Sequence, residues 1–258
     1  MTRYGVLLTA FGAPDCLDAV EPFMCNLMGR QPSEEAVASA KMRYLAIGGS
    51  SPLPGIAERI AAQLERDLNG LPPAEAGEPV VPGVESTLSV ASSMRADSGV
   101  TIPVAVGMCY SEPSVTGAVE RLAAAGVRTI VWLSLSPFES GVTTGAYRDA
   151  VEAAVGPTRG VRAVEAASYR RAPGFVEYLA EQVIEATHEV DILRNRALIV
   201  FTAHSLPLAD VERDTSYVDQ LRETADDVAA AAGLGKASGF DALPGIEGYG
   251  GPGVTSPW

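Results

Sequence analysis

His204 follows the apolar run ALIVF (residues 197–201) in the segment FTAHSLP, and it is one of only two histidines in the chain. Imidazole is the side chain whose unperturbed pKa lies nearest neutrality, so it can accept a proton or bind a borderline metal ion there. The neighbours Ala203 and Ser205 are small, and Pro207 fixes the direction of the chain beyond them. A histidine at a strand end can also be a core or capping residue bonded to backbone. The surrounding residues favour the functional interpretation.

Polar and aromatic side chains follow three other apolar runs in the same manner. They are Phe11 at the end of residues 4–11, Tyr110 and Glu112 after residues 102–108, and Glu139, Ser140 and Tyr147 after residues 129–135. Each position also has a structural interpretation: Thr143 or Thr144 can cap a helix, and Glu112 can complement a helix N-terminus. The other histidine, His188, lies in the helical pattern EQVIEATHEV and is expected to be a solvated surface residue.

Carboxylate-binding groups come from a different part of the chain. Arg30 in GRQPS, and Arg43 and Ser51 in RYLAIGGSSPLPGI, can bind carboxylates at the rim of a pocket. The Gly-Gly pair in the second segment lacks the spacing of a phosphate-binding loop, so nucleotide binding has little support. Leu53 and Pro54 can supply apolar walls beside these groups.

The elements that must position these residues alternate along the chain. Apolar runs at residues 4–11, 102–108, 129–135, 160–167 and 197–201 predict strands. Apolar periodicity predicts helices near residues 17–28, 34–46, 55–68, 113–125, 145–155, 173–188 and 216–232. Continuous apolar strands separated by helices indicate a parallel sheet covered on both faces, that is, a doubly wound α/β fold. Ligands of such folds bind beyond the C-terminal ends of the strands, where the polar side chains above fall.

Two regions depart from this pattern. Residues 69–100 begin with a Pro/Gly-rich stretch typical of a surface loop and contain at most one weak element near residues 83–93. The end of the chain, FDALPGIEGYGGPGVTSPW, is rich in Gly and Pro and has no periodicity. It is expected to be a loop.

Composition excludes several classes of function. The 258 residues include 47% hydrophobic and 20% charged side chains, which suffices for a packed core. The formal net charge of −13 argues against a nucleic-acid or anionic-membrane surface. No apolar stretch is long enough to span a bilayer and no cleavage site follows the N-terminus, so a cytoplasmic location is expected. Cys16, Cys25 and Cys109 lack metal-site spacing and are expected to be reduced structural thiols.

Taken together and in order, several motifs resemble the ferrochelatases. They are LLTAFGAP, GRQPS, RYLAIGGSSPL, GMCYSEP, SPFESGVTTGAYR, SYRRAPGFVEYLAE and LIVFTAHSLP followed by YVDQLRETA, within residues 4–234. The resemblance implies two Rossmann-like domains of the class II chelatase type, at residues 1–158 and 159–258. The second is expected to be incomplete and to end in the Gly/Pro-rich tail. It implies insertion of ferrous iron into coproporphyrin III or protoporphyrin IX in heme biosynthesis.

Site roles are carried over by the same resemblance. His204 matches the family's active-site histidine, which acts as metal ligand or as acceptor of pyrrole protons. Tyr110 falls where some members carry a second histidine, and Phe11 falls where some bacterial members carry a tyrosine near the metal. The remaining matches are Arg30, Ser51 and Tyr147, assigned to porphyrin contact. No tightly bound cofactor and no iron–sulfur cluster are expected, and the partners are porphyrin and ferrous iron, with the oligomeric state left open.

Family members also continue past the point where this chain ends, and that portion carries an acidic residue opposite the histidine. The absence of the family's terminal strands predicts an exposed sheet edge, and hence marginal stability or aggregation. The absence of the acid predicts weak chelation unless Glu139, Glu112 or Asp210 substitutes for it. We place Glu139 with His204 and Tyr110 as the catalytic candidates. A cobalt or sirohydrochlorin chelatase and a non-catalytic porphyrin-binding fragment are the alternatives.

Overall fold

The computed structural model describes residues 3–71, 101–189, 199–204, 206–213 and 215–234. Its centre is a four-stranded sheet in which all neighbouring strands are parallel. The strands are β1 (Tyr4–Ala10), β2 (Val104–Met108), β3 (Thr129–Ser134) and β4 (Arg162–Glu165), in the order β2-β1-β3-β4. The predicted α/β fold with a parallel, doubly wound sheet is confirmed.

Helices connect and cover the strands. In chain order they are α1 (Val20–Met28), α2 (Glu34–Ala46), α3 (Leu53–Asn69), α4 (Val115–Ala124), α5 (Ala146–Val155), α6 (Pro173–Glu189), α7 (Leu208–Arg213) and α8 (Ser216–Ala231). A short 3₁₀ turn (Leu17–Ala19) precedes α1, and a π-helical turn (Gly141–Gly145) precedes α5. Ser33 and Ser114 begin α2 and α4 by accepting hydrogen bonds from backbone N–H groups in the first turn.

The core lies on both faces of β1, because successive residues of a strand point to opposite faces. Leu7 and Leu8 are each 0% exposed, and each belongs to a different apolar cluster. Leu7 packs with residues of α4 and α5, including Val119 and Val151, and Leu8 packs with residues of α3, including Ala57. Burial on both faces explains why the sequence of β1 is continuously apolar.

Helices α6 and α8 lie together beyond β4. Arg171 forms a two-point ion pair with Asp227 at 2.7 and 3.1 Å, and Arg170 contacts Glu223 at 2.8 Å. Between the helices and residues 199–203 runs an apolar groove of about 850 Å³. No helix in the described segments is both long and apolar enough to cross a bilayer.

The predicted strand at residues 197–201 is wrong for its described part. Residues 199–201 form no strand, whereas residues 197 and 198 lie outside the described part of the chain. A strand requires a hydrogen-bonded neighbour, and residues 199–201 pair with none of β1–β4. Helix α7 was not predicted; its first turn is closed by the N–H of Asp210, which donates to the Pro207 carbonyl at 2.9 Å.

Other predictions concern segments that the structure does not describe. Residues 72–100 include the weak element expected near residues 83–93, and the Gly/Pro-rich tail falls beyond residue 234. The division into domains at residues 158 and 159 stays a prediction. Strand β4 lies beyond that boundary and pairs with β3.

Candidate functional site

The loops that follow β1 and β2 are joined by backbone bonds and by an aromatic pair. The N–H of Tyr110 donates to the Phe11 carbonyl at 3.1 Å, and the two ring centroids lie 4.8 Å apart. Phe23 of α1 approaches Phe11 edge-on at 6.3 Å. Gly12 allows the tight turn after Phe11, since its φ is +98° and an added Cβ would lie 2.7 Å from Ser111 Oγ. Phe11 and Tyr110, two predicted site residues, therefore pack together and form one aromatic surface, the Phe11–Tyr110 wall.

Tyr110 is a half-buried phenol whose backbone carbonyl accepts a hydrogen bond from the Asn26 amide at 3.2 Å. Burial raises the pKa of its hydroxyl, and the nearby Cys109 thiol raises the pKa further. Burial also raises the pKa of Cys109 to about 12. Both groups are therefore neutral at neutral pH, and Tyr110 presents an uncharged hydroxyl rather than a phenolate.

Tyr147 lies deeper than its predicted role requires. It is 3% exposed and belongs to the cluster that includes Leu7, Trp132 and Val151. Burial is the main cause that raises the pKa of its hydroxyl, with Cys109 adding to the effect. Porphyrin contact by Tyr147 stays a prediction, and 3% exposure leaves only a small part of the side chain for it.

The loop Ser136–Ser140, after β3, is held by side chains that accept from or donate to its backbone. Four of its backbone carbonyls accept hydrogen bonds from side chains. Ser168 Oγ donates to the Pro137 carbonyl and Ser136 Oγ to the Phe138 carbonyl. Gln220 Nε2 donates to the Glu139 carbonyl and Thr144 Oγ1 to the Ser140 carbonyl. Ser140, 8% exposed, also caps the π-helical turn by accepting from the Thr143 N–H at 3.2 Å. Bonds to four of its five carbonyls indicate a preorganised loop.

Glu139 is the residue of this loop whose backbone is hydrogen-bonded to α8. Gln220 Oε1 accepts from the Glu139 N–H at 2.8 Å, and Gln220 Nε2 donates to the Glu139 carbonyl at 3.1 Å. Gln220 is 8% exposed, whereas the Glu139 side chain is exposed. The contact thus fixes the backbone of Glu139 and leaves its side chain facing solvent. We did not single out Gln220 from the sequence, although it lies within the YVDQLRETA motif.

His204 is exposed and lies in the extended segment before α7. Its backbone carbonyl accepts a hydrogen bond from the Tyr217 hydroxyl of α8 at 3.1 Å. The Tyr217 ring also meets Phe138 edge-on at 6.4 Å. The same turn of helix α8 therefore contacts both the His204 segment and the loop after β3.

Arg30 and Ser51 lie on the helical segments that follow β1. Arg30 is exposed just beyond the end of α1. Ser51 is half-buried; its N–H donates to the Pro14 carbonyl at 2.9 Å, and its hydroxyl accepts from the Leu53 N–H at 3.2 Å. Ser51 thus ties the start of α3 to the loop after β1. Carboxylate binding by Arg30 and Ser51 stays a prediction.

The three acidic candidates differ in what they already contact. The Glu112 carboxylate accepts from the Ser114 N–H at 2.8 Å at the start of α4. Asp210 pairs with Arg213 at 3.1 Å within α7. Within the described ranges, no three His, Cys, Asp or Glu side chains are grouped so that they could hold a metal ion.

Comparison with known proteins decides the family. The family model described as Ferrochelatase matches residues 3–240. The chain belongs to the ferrochelatase family. It is 30% identical over 237 residues to coproporphyrin III ferrochelatase 2 of Bacillus cereus, and this alignment covers 90% of the chain and 65% of the relative.

Two further members show the same extent of similarity. Identity is 28% over 233 residues to the coproporphyrin III ferrochelatase of Halalkalibacterium halodurans (90% of the chain, 67% of the relative). It is 30% over 234 residues to that of Geobacillus kaustophilus (89% of the chain, 66% of the relative). The ferrochelatase resemblance inferred from the motifs is confirmed. The chain spans about two thirds of the length of these ferrochelatases.

Proposed function

We propose that this chain inserts ferrous iron into coproporphyrin III, as a ferrochelatase of heme biosynthesis. The observation that carries the proposal is the family match over residues 3–240, which includes both the Phe11–Tyr110 wall and the His204 segment. Coproporphyrin III is preferred to protoporphyrin IX because the three relatives described above are named for it. A cytoplasmic location and the lack of a resident cofactor remain parts of the proposal.

The chemistry of the reaction assigns a task to His204. A porphyrin carries two protons on its four inward-pointing nitrogens, and a divalent metal can bind all four only after both protons leave. A neutral imidazole facing the ring can accept such a proton, or can ligate the incoming metal. The bond from Tyr217 to the His204 carbonyl restrains the backbone of this segment, and His204 is exposed.

The ring itself needs a flat apolar surface and polar groups at its edge. Phe11 and Tyr110 supply the aromatic surface at the ends of β1 and β2. Arg30 and Ser51 are assigned to the propionate carboxylates at the rim. The guanidinium of Arg30 can bind a carboxylate through two parallel hydrogen bonds. A site that fits the distorted ring better than the flat one lowers the barrier, because the distorted ring resembles the transition state.

Glu139 is the acid assigned to metal delivery or proton removal. Glu112 and Asp210 already contact a helix N-terminus and an arginine, respectively. The Glu139 carboxylate is exposed on a loop whose backbone is fixed by Gln220. A carboxylate and an imidazole together bind Fe²⁺, Zn²⁺ and Co²⁺ with little discrimination, so the metal is a matter for competition experiments.

Zinc insertion into coproporphyrin III, followed through porphyrin fluorescence, tests the proposal. The variants are His204→Ala and, as a matched control, His188→Ala, which removes an exposed histidine on α6. We expect insertion by the parent and by the control, and a loss of about 100-fold or more in His204→Ala. Porphyrin binding without insertion by the parent would instead support a non-catalytic porphyrin-binding role.

Substrate competition tests the chelatase alternative. Sirohydrochlorin and Co²⁺ are offered together with coproporphyrin III and Fe²⁺ under anaerobic conditions. Preferential formation of cobalt sirohydrochlorin would overturn the proposed substrate pair. Preferential formation of iron coproporphyrin would support it.

A further inference from the structure

One turn of α8 contacts both segments that carry the proposed reactive groups. Tyr217 bonds the His204 carbonyl at 3.1 Å, and Gln220 bonds the Glu139 peptide at 2.8 and 3.1 Å. Residues three apart on a helix lie on the same face. The two segments are therefore held side by side by adjacent side chains of one rigid element.

The contact made by Gln220 has the form of a paired amide. Its oxygen faces the Glu139 N–H and its nitrogen faces the Glu139 carbonyl, and only this orientation satisfies both groups. The two bonds hold the two peptide groups that flank the Glu139 Cα, so they fix the orientation of this residue's backbone as well as its position. Because Gln220 is only 8% exposed, water has little access to replace either bond.

The remaining bonds of the loop come from its own side of the molecule. The hydroxyls of Ser168 and Ser136 donate to the Pro137 and Phe138 carbonyls at 2.7 and 3.0 Å. The Tyr169 hydroxyl donates to the Leu135 carbonyl at 2.8 Å. These bonds shape the loop. The Gln220 bonds to Glu139, together with the ring contact between Phe138 and Tyr217, set the distance of the loop from α8 and hence from the His204 segment.

We infer that Gln220 is a positioning residue for metal insertion, which fixes Glu139 relative to His204 through α8. The inference rests on the proposed function. Gln220 acts through the Glu139 peptide and does not itself contact substrate. Tyr217 completes the bridge on the side of His204.

This role predicts a specific kinetic pattern. The proposed porphyrin contacts Phe11, Arg30 and Ser51 lie on the segments after β1, and Tyr147 lies on α5. The described hydrogen bonds of Gln220 go to Glu139 and to none of these residues. Loss of the bridge should therefore slow the chemical step and leave porphyrin affinity unchanged. A displacement of about 1 Å in a reacting group can lower a rate about 100-fold.

The test compares Gln220→Met with Glu223→Gln. The first removes both bonds to Glu139 and preserves the length of the side chain. The second breaks the 2.8 Å ion pair of α8 with Arg170 and leaves Gln220 intact. We expect kcat for zinc insertion to fall 10- to 100-fold in Gln220→Met, with the porphyrin Kd within about twofold of the parent value. Glu223→Gln should keep kcat within about twofold.

An unchanged kcat in Gln220→Met, or an equal loss in Glu223→Gln, would overturn the inference. A porphyrin Kd that weakens as much as kcat would also overturn it, because a general loss of structure would then explain both. If Gln220→Met does not fold, Gln220→Glu serves instead. It keeps the acceptor for the Glu139 N–H and removes the donor to the carbonyl, and it should lower kcat at unchanged Kd.

Amide hydrogen exchange separates this inference from the proposed function. The Glu139 amide should exchange about tenfold faster in Gln220→Met than in the parent or in Glu223→Gln. If the parent inserts no metal, the proposed function fails, and unchanged exchange at Glu139 shows separately that the bridge is absent. Faster exchange in Gln220→Met together with an inactive parent would show that the bridge exists but has no catalytic role.

Discussion

The rings of Phe11 and Tyr110 lie 4.8 Å apart with their planes tilted by 59°. They stand on the loops that follow two neighbouring strands, so the pair joins β1 and β2 at their C-terminal ends. Phe11 also packs against the cluster that contains Leu7. The pair is therefore part of the fold as well as of the candidate site.

We expect Phe11→Ala to affect both stability and binding. Truncation of this half-buried ring should lower the free energy of unfolding by about 2 kcal/mol, less than for a fully buried phenylalanine. It should also weaken coproporphyrin III binding, measured by fluorescence titration. Tyr110→Phe is the control, since it retains the aromatic wall. Equal binding by Phe11→Ala and the parent would show that the pair is purely structural.

The acidic candidates can be ranked by single substitutions. Glu139→Gln should lower zinc insertion about 10- to 100-fold at unchanged porphyrin affinity, because it removes the exposed carboxylate. Glu112→Gln and Asp210→Asn should leave insertion within about twofold, as these side chains have structural contacts at Ser114 and Arg213. Initial rates at saturating porphyrin measure all three variants. Loss of activity only in Glu112→Gln or only in Asp210→Asn would show that Glu112 or Asp210, and not Glu139, is the reactive acid.

Ser140→Ala should destabilise the protein by about 1–2 kcal/mol, because it removes the cap of the π-helical turn from a buried site. Urea unfolding measures the change. Ser33→Ala is a matched control, since it removes the cap of α2 far from the loop. Both variants should lose stability, but only Ser140→Ala should lower insertion, because only that cap holds the loop bearing Glu139.

Thiol chemistry tests the surroundings of Tyr110. Burial raises the pKa of Cys109 to about 12, so at pH 8 about one thiol in ten thousand is ionised. Cys16 is exposed. Ellman's reagent should modify Cys16 in the native protein and Cys109 only after unfolding, with mass spectrometry to identify the sites. Rapid native labelling of Cys109, checked in Cys16→Ser, would contradict the raised pKa of this half-buried thiol.

Stability should fall at alkaline pH partly through Tyr169. Its hydroxyl donates to the Leu135 carbonyl at 2.8 Å, and burial raises its pKa to about 12 from 10.0. Between pH 10 and 12 the unfolded chain loses this proton and the folded protein keeps it, so the unfolded state binds fewer protons. Unfolding therefore becomes easier as pH rises. Tyr169→Phe should flatten the pH dependence of the urea midpoint, and an unchanged slope would contradict the assignment.

The central strands and helices could be predicted from the sequence because buried elements are rich in apolar residues. β1 is apolar on both faces, and Leu7 and Leu8 are completely buried. The same reasoning failed at residues 199–201, where an apolar run has no paired neighbour. Pairing is a property of two segments, and composition describes only one. Helix α7 has six residues, too few to show periodicity.

The candidate site was predicted in part for the same reason. Phe11 and Tyr110 follow apolar runs, and strand ends converge at one edge of a parallel sheet. Gln220 could not be found in this manner, since its partner is the backbone of a residue 81 positions away. Every residue type except proline has the backbone N–H and carbonyl that Gln220 contacts, so the residue type at position 139 gives no sign of this contact. The 3% exposure of Tyr147 could not be predicted either, because a periodic pattern shows only roughly which face a residue occupies.

The strand order β2-β1-β3-β4 also has a consequence for synthesis of the chain. β1 is complete at Ala10, but its two neighbours end only at Met108 and Ser134. At a translation rate of about 5–20 residues per second, the apolar β1 waits about 6–25 s for its second neighbour. Until β2 is made, the nascent chain carries β1 without either neighbour, and until β3 is made one edge of β1 has no partner. We therefore expect β1 to be the strand of this sheet whose apolar side chains most need shielding during synthesis.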